Sequence, residues 1–318
     1  MTAARRKLLP WIALGVIYVV WGSTYLAIRI VVREVPPLAA AGVRFFVAGV
    51  VMAVIAAFAD RGHPRPTRRQ LFDYALAGVL LLAVGNGLVM WSEKSIPSGI
   101  AALIVGTVPV WLTLFDGFRA AGQRWSVRVW TGTLIGLVGV MLVARPEGGI
   151  APGHWPAVLA LQVATLAWTA GTLYAQSVTR RLPLFSAAAV EMIAGALALF
   201  ALSAVIGEDV TRFAAASGAA WGGLAYLAVF GSLVGFTAFA FCINELPAST
   251  VGTYAYVNPV VAVFLGAVFL HERVTPGLLT GGLLILAAVV ITTMSRRAAN
   301  APQPPATAPA LSETPERA

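Results

Sequence analysis

The chain has 318 residues, of which 59% are hydrophobic and 11% are charged, and its mean hydropathy is +0.83. A soluble domain carries about 25% charged residues, so this composition excludes an ordinary water-soluble globular protein. The formal net charge is +9, but the charged residues stand in short connectors between apolar runs and form no single basic face. This pattern excludes nucleic acid as a partner.

Ten apolar runs follow one another along the chain, and about 20 residues of helix are enough to span the hydrocarbon core of a bilayer. None shows the short alternating strands of a transmembrane barrel. The first run follows three basic residues, as a signal-peptide core does, but it is longer than such a core usually is. The predicted spans cover residues 10–32, 36–58, 71–92, 97–118, 129–146, 156–178, 184–206, 219–242, 248–270 and 274–295.

The orientation in the membrane follows from the distribution of Lys and Arg. With the N-terminus in the cytoplasm, the cytoplasmic connectors hold 15 of the 22 basic residues and the opposite connectors hold 5. Cytoplasmic loops carry an excess of Lys and Arg, so both termini are predicted to be cytoplasmic. The Pro- and Ala-rich residues 296–318 are predicted to form a disordered cytoplasmic tail.

Matching residues recur in the two halves of the chain at a nearly constant distance. Trp168 lies 147 residues after Trp21, and Pro259 lies 150 residues after Pro109. Further matches, Pro36 with Pro183, Pro97 with Pro247 and Thr131-Gly132 with Thr280-Gly281, follow in the same order at spacings of 147 to 150 residues. This series of ordered matches indicates an internal repeat.

Each half holds five predicted spans, so the second half must enter the membrane in the opposite sense to the first. We therefore predict an all-α integral membrane protein of ten transmembrane helices, built as two inverted five-helix repeats over residues 8–146 and 153–295. Inverted repeats are the usual architecture of transporters that alternate access about a site near the membrane midplane.

Three stretches carry a resemblance to a known family: residues 21–25 (WGSTY), 43–49 (VRFFVAG) and 256–260 (YVNPV), the last followed by His271-Glu272. Over residues 8–295 the chain resembles the drug/metabolite transporter (DMT) superfamily, specifically the EamA family. The resemblance implies a bacterial inner-membrane carrier with a central cavity, which exports amino acids, related metabolites or toxic compounds. Import or exchange by the same fold and coupling to protons stay open.

Two charged residues stand at equivalent positions inside predicted spans, Arg44 in the second and Glu191 in the seventh. A charge at the bilayer centre costs at least about 2.5 kcal/mol, so both side chains should face protein or water. We expect Arg44 to attract a substrate carboxylate, and Glu191 to bind a cation, an amino group or a coupling proton. A structural ion pair between them, or separate contacts of each at the membrane surface, is the alternative.

Polar and aromatic residues recur at helical spacing on two equivalent spans. Tyr18, Trp21 and Tyr25 share one face of the first span, and Thr172 and Gln176 share one face of the sixth. Such stripes in lipid either bind neighbouring helices or line a wet cavity, and we predict the cavity. The candidate substrate-binding residues are Tyr18, Trp21, Tyr25, Arg44, Asn86, Trp168, Thr172, Gln176, Glu191, Tyr254 and Asn258.

Pro109 and Pro259 occupy equivalent places in the fourth and ninth spans. A proline inside a helix frees a backbone carbonyl and favours a kink. Broken helices can bind substrate or act as hinges, so both prolines are hinge candidates, and a static kink is the alternative.

The charged residues at the ends of spans are expected to have ordinary surroundings. Asp73 should pair with the local arginines, while Glu93 and Lys94, at the outer end of the third span, should be solvated. Cys242 is the single cysteine, so no intrachain disulfide can form, and it should be a small packing residue.

Motifs for catalysis and nucleotide hydrolysis are absent from the sequence. There is no Gly-x-x-x-x-Gly-Lys-Ser/Thr loop and no Gly-x-Ser-x-Gly elbow, and the three histidines stand in separate connectors without a zinc motif. We therefore predict a secondary transporter without cofactor or metal, not an enzyme. The rival hypotheses are an intramembrane enzyme that acts on a lipid-linked substrate and a passive channel. The expected partners are a small-molecule substrate and the lipid bilayer, and a homodimer is left open.

Overall fold

The computed structural model describes residues 3–116, 118, 127–143, 153–178, 181–246, 251 and 253–299. These residues form helices and the connectors between them, with no strand among them. The predicted all-α class is therefore confirmed for this part of the chain.

Seven of the ten predicted spans are, in the part of the chain that the structure describes, helices long and apolar enough to cross a membrane. Shorter apolar helices, Val127–Val143, Tyr254–Leu270 and Pro276–Ile291, fall within the other three. The last helix continues to Ala299, into the predicted tail, and residues 300–318 lie outside the described residues. The seven stretches are Leu8–Val32, Pro37–Ala59, Arg68–Ser92, Ser98–Phe115, Trp155–Ser177, Leu184–Val205 and Gly218–Phe239.

The helices are labelled in chain order, and the two π-helices are called π1 and π2. In the first half they are α1 (Ala3–Val32), α2 (Pro37–Ala59), α3 (Arg68–Gly78), π1 (Val79–Asn86), α4 (Gly87–Ser92), α5 (Ser98–Val105), α6 (Val108–Asp116) and α7 (Val127–Val143). In the second half they are α8 (Trp155–Ser177), α9 (Leu184–Val205), a 3-10 helix (Val210–Ala215), α10 (Gly218–Tyr226), π2 (Leu227–Val234), α11 (Gly235–Glu245), α12 (Tyr254–Leu270) and α13 (Pro276–Ala299).

The third span of each half changes from α-helix to π-helix and back at equivalent places. π1 and π2 each have eight residues, and π2 begins 148 residues after π1. The helices that lead into them start alike, because Thr67 caps α3 by accepting from the N–H of Gln70, and Ser217 caps α10 by accepting from the N–H of Ala220. π-Helices are rare and often mark functional sites.

Helices α2 and α9 pack against each other in antiparallel fashion, and each supplies the cap of the other. Asp60, directly after α2, accepts hydrogen bonds from the N–H (3.0 Å) and hydroxyl (2.6 Å) of Ser186 at the start of α9. Glu208, just beyond α9, accepts from the N–H groups of Leu38 (3.1 Å) and Ala39 (2.8 Å) at the start of α2. The first N–H groups of a helix lack partners and carry partial positive charge, so both carboxylates stabilise this pairing.

Two further carboxylates cap helices of the opposite half. Glu34, after α1, accepts from the N–H and the hydroxyl of Ser217 at the start of α10, both at 2.7 Å. Glu272, after α12, accepts from Ser98 and Gly99 at the start of α5. All four caps therefore connect residues of one half to a helix of the other.

Helices α7 and α13 approach so closely that their backbones touch. A Cβ atom on Gly281 would lie 2.7 Å from the backbone oxygen of Gly139 and 2.6 Å from Cγ2 of Val143, and one on Gly136 would meet Ala288. Small residues permit this approach, as in other helix pairs within membranes.

Large apolar side chains cover the outer surface of the bundle. Val19, Phe58, Phe264 and Leu283 are each at least 61% exposed. Exposed apolar area of this extent indicates a surface that contacts lipid.

Gly281→Ala should lower the stability of the protein by roughly 1–3 kcal/mol, because the new methyl group would collide with the backbone of α7. Gly222→Ala on α10 is the matched control, since a Cβ atom there meets nothing within 4 Å and alanine favours helix over glycine. Thermal unfolding of both purified variants in detergent measures the difference. Equal losses in the two variants would contradict the close contact between α7 and α13.

Candidate functional site

A central cavity of about 850 Å³, its open mouth included, lies between α1, α8, α12 and the two spans that contain π-helices. Its wall is mainly apolar, with polar groups from Thr24, Asn86, Thr165 and Asn258. Arg44 is the one charged residue among the residues that line it. The aromatic lining residues are Trp21, Tyr25, Trp168, Phe236 and Tyr254.

Seven of the eleven candidate substrate-binding residues line this cavity, together with the hinge candidate Pro259. The other four, Tyr18, Thr172, Gln176 and Glu191, are not among its lining residues. The seven that the fold brings together are Trp21, Tyr25, Arg44, Asn86, Trp168, Tyr254 and Asn258.

The four candidates outside the cavity have other surroundings. The hydroxyl of Tyr18 hydrogen-bonds to Thr253 at the start of α12, and the hydroxyl of Thr172 donates to the carbonyl of Trp168, one turn earlier on α8, at 2.8 Å. Gln176, near the end of α8, is exposed, and Glu191 is half-buried on α9. The predicted stripes continue along their helices beyond the cavity, because helical spacing places residues on a face but does not limit how far a cavity follows that face.

Glycines of the π-helices receive the two matching tryptophans. The indole N–H of Trp21 donates to the carbonyl of Gly231 at 3.2 Å, and a Cβ atom on Gly235 would lie 2.3 Å from that nitrogen. In the other half, a Cβ atom on Gly85 of π1 would lie 3.2 Å from the ring of Trp168. Each ring therefore packs against a position on the facing helix where no side chain is present.

Arg44 is held by α2 and π2 at the edge of the cavity, and only 4% of the residue is exposed. Its Nε donates to the hydroxyl of Ser232 at 3.0 Å, and the guanidinium carbon lies 4.6 Å from the centre of the Phe45 ring. Among the described residues, no acceptor is within hydrogen-bond distance of its Nη1, and no carboxylate forms an ion pair with it. The alternative of an Arg44–Glu191 ion pair is therefore not seen.

An unpaired buried cation is unfavourable, which makes Arg44 a strong site for an anionic group. Gly231 keeps the space beside it open, because a Cβ atom there would lie 3.0 Å from Nη2 of Arg44 and 3.0 Å from Thr24. The local chemistry is therefore suited to a carboxylate.

Three of the aromatic lining residues form one connected group, because the Trp21 ring contacts both Phe236 and Tyr254. The Trp21 ring lies 5.2 Å from Tyr254 in a T-shaped arrangement and 5.1 Å from Phe239. With its amide nitrogen turned toward α1, Asn258 donates to the carbonyl oxygens of Tyr18 and Tyr254, both at 3.2 Å. These contacts join α1 to α12 and position the rings.

The two hinge candidates differ in their surroundings. The fourth span is divided into α5 and α6 at Gly106 and Thr107, and Pro109 is the second residue of α6, where a missing N–H is tolerated. Pro259 lies inside the continuous helix α12, and a Cβ atom on Gly106 would be 3.1 Å from its ring. The hinge role of both residues stays a prediction.

The structure corrects one prediction at the end of the third span. Glu93 was expected to be solvated, and this is wrong, since the residue is 0% exposed, while its neighbour Lys94 is exposed. Glu93 directly follows the last residue of α4, and its backbone carbonyl accepts a hydrogen bond from Nη1 of Arg29 on α1. A hydropathy pattern places charged residues at the end of a span on the surface, because it contains no information about a neighbouring helix that covers them.

Other predictions on peripheral residues are confirmed. Asp73 pairs with Arg69 at 3.0 Å and accepts a hydrogen bond from the hydroxyl of Tyr174 at 2.8 Å. Cys242 is fully buried, and its thiol contacts the carbonyl of Pro10 at 3.5 Å.

The residues at the site that sequence reasoning missed include Thr24, Gly231, Ser232 and Phe236. Thr24 lies three residues after Trp21, so the same helical spacing could have identified it. The residues of π2 and α11 had no such signal, because an apolar run does not reveal where a helix changes its period.

An apolar helical bundle around a central cavity with aromatic walls and one buried cation defines a membrane transport protein. The sequence model of the EamA-like transporter family matches the chain twice, over residues 9–145 and 155–294. The chain therefore belongs to this family.

Known proteins of similar sequence carry transporter names. The chain is 39% identical over 291 residues to the uncharacterized inner membrane transporter YedA of Escherichia coli K12, a match that covers 90% of this chain and 92% of the relative. It is 28% identical over 280 residues to a probable terminal-alkyne amino-acid exporter of Streptantibioticus cattleyicolor, with 88% and 91% covered. A crystal structure with 22% sequence identity and a TM-score of 0.61 covers 93% of this chain and 99% of its own, which shows a shared fold.

Asn86→Cys, made in a Cys242→Ala background, should react with a small water-soluble thiol reagent, because Asn86 lines the cavity and is half-buried. Thr169→Cys is the matched control, since Thr169 on α8 is 0% exposed and does not line the cavity. Mass spectrometry of the purified variants after a timed reaction measures the labelling. Faster labelling at position 169 than at position 86 would contradict the position of the cavity.

Proposed function

We propose that the protein is a secondary transporter that exports small carboxylate-bearing metabolites, amino acids among them, across the bacterial inner membrane by alternating access. The observation that carries the proposal is Arg44, a buried cation at the cavity wall without a carboxylate partner among the described residues. The name of the S. cattleyicolor relative, an amino-acid exporter, supports the substrate class and the direction. Import or exchange by the same fold is the second candidate for the direction.

A substrate carboxylate supplies the acceptor that Arg44 lacks. Hydrogen bonds to charged groups contribute about 1.5–3 kcal/mol, and more where water is excluded. The aromatic side chains that line the cavity, Trp21 and Trp168 among them, provide apolar surface for the rest of the substrate, and Thr24 and Thr165 contribute hydroxyl groups. This combination of an apolar wall and a few polar groups is typical of a small-molecule site.

The membrane arrangement in this proposal has ten crossings, two inverted five-helix repeats and cytoplasmic termini. Three features support it: the reciprocal caps of α2 and α9, the equivalent π-helices, and the two matching Trp–Gly contacts. The four carboxylate caps also agree with it, because each joins connectors that the basic residues predict to be on the same side of the membrane.

The coupling of transport to an ion is a separate question from substrate binding. Glu191 was predicted as the coupling residue, and it stays a candidate at a position outside the cavity lining. If Glu191→Gln leaves gradient-driven transport intact, this role is lost. Helix movement about the Gly106–Thr107 break and Pro259 supplies the change of access in this proposal.

Arg44→Gln should raise the KM for amino acids by at least about tenfold, which corresponds to about 1.4 kcal/mol, because the carboxylate loses its charged partner. Amino-acid amides, which lack that charge, should be affected less. Arg61→Gln is the control, since Arg61 is an exposed arginine near the end of α2. Exchange of radiolabelled amino acids in proteoliposomes measures both, and an equal loss for amino acids and amides would contradict carboxylate binding at Arg44.

Alkaline phosphatase fused after residue 64 should be inactive, and fusions after residues 95 and 209 should be active. Alkaline phosphatase becomes active only outside the cytoplasm. The proposed topology places the connector at residue 64 inside and the connectors at residues 95 and 209 outside. Activity per fusion protein in whole bacterial cells gives the result. Activity after residue 64 together with inactivity after residue 95 would reverse the proposed orientation.

A further inference from the structure

Glu93, directly after α4, has a buried carboxyl group that plays no part in the carboxylate binding proposed at Arg44. It is 0% exposed, and neither of its side-chain oxygens accepts a hydrogen bond from any described residue. An ionised carboxylate is very unfavourable in such surroundings, so the neutral form is favoured. Burial and then the charge of Glu272 raise the pKa of the Glu93 carboxyl well above its usual value, and the charge of Arg29 opposes them.

Of the two charged neighbours of Glu93, Glu272 favours its neutral form and Arg29 opposes it, and neither forms a hydrogen bond with its side-chain oxygens. Nη1 of Arg29 donates to the backbone carbonyl of Glu93, and its Nε has no partner among the described residues. Glu272 accepts hydrogen bonds from Ser98 at 2.8 Å and 2.9 Å, and the start of α5 stabilises its negative charge. Other titratable groups on the helices that pack against α4 include Tyr25 on α1, Arg44 on α2 and His154 at the start of α8.

Glu93 lies one helical turn beyond the cavity wall. Its N–H donates to the carbonyl of Val89 at 3.0 Å, and Val89 lines the cavity. Residues four apart share a helix face, so the carboxyl group lies on the side of α4 that faces the cavity. Tyr25, another lining residue, is within electrostatic range of Glu93.

We propose that Glu93 is a proton-binding site that couples transport to the proton gradient, an inference that rests on the transport function proposed above. In the conformation described here the carboxyl group carries its proton. When the contact between α1 and α4 opens to water, the O–H bond breaks, the proton passes to water, and the carboxylate stays beside Arg29. After the change of access, protonation from water on the opposite side of the membrane allows the site to close again, so one proton crosses the membrane in each cycle and no other reactant is needed.

Infrared spectroscopy tests the protonation without any substrate. Glu191→Gln serves as the background, because Glu191 stays a candidate for proton binding and a protonated Glu191 would give the same infrared band. At neutral pH this background protein should show the band of a protonated carboxyl group, and the further change Glu93→Gln, which keeps a neutral side chain of similar shape, should remove it. Asp209→Asn in the same background is the matched control, because Asp209 is exposed and hydrogen bonds from Thr211 lower its pKa and keep it ionised. If Glu93→Gln leaves the band unchanged, the proposal is overturned, whether or not a substrate is known.

Transport in proteoliposomes tests the coupling, with a radiolabelled amino-acid mixture as the probe. Glu93→Gln should keep amino-acid exchange within about twofold of the wild type, since exchange needs no net proton movement, but should lose the response to a pH gradient. Asp209→Asn should keep both the exchange and the gradient response. A full gradient response in Glu93→Gln would overturn the coupling role while the proposed transport function stands. If the wild type moves no carboxylate at all, the proposed function and the coupling role both fail, and the infrared result still decides the protonation.

Discussion

The partial positive charge at helix N-termini is the constraint on which this architecture depends. Near lipid, the first N–H groups of a helix need acceptors from the protein itself. Asp60, Glu208, Glu34 and Glu272 supply them to α9, α2, α10 and α5, and each connects one half of the chain to the other. The caps therefore connect the two halves at both ends of the helices.

The binding site depends on two local departures from α-helical geometry. π2 brings Gly231 and Ser232 against α1 and α2, where they hold the Trp21 ring and the Arg44 guanidinium group. A side chain at Gly231 would fill the space beside the cation. The irregular helix π2 thus leaves space next to a buried charge, and its equivalent, π1, places Gly85 against Trp168 in the other half.

The sequence predicted which residues belong to the site better than it predicted how far the cavity extends. The position of Arg44 at the cavity could be predicted, because a charge within an apolar run must face protein or water. Thr172, on the predicted polar stripe of the sixth span, lies beyond the cavity, since periodicity defines a face but not the depth of a cavity. For Glu93 the sequence underestimated the burial, because a charged residue at the end of a span is expected to be solvated unless another helix covers it.

The sequence by itself determined the helical membrane class, the family resemblance and the positions of most spans, because these follow from composition and spacing within short stretches. Only the tertiary structure decided which residues face the cavity, where the helices change period and which carboxyl groups are buried. Arg44 and Ser232 are 188 residues apart, and Ser98 and Glu272 are 174 apart. Contacts over such distances depend on how the two halves pack, and no local pattern encodes that packing.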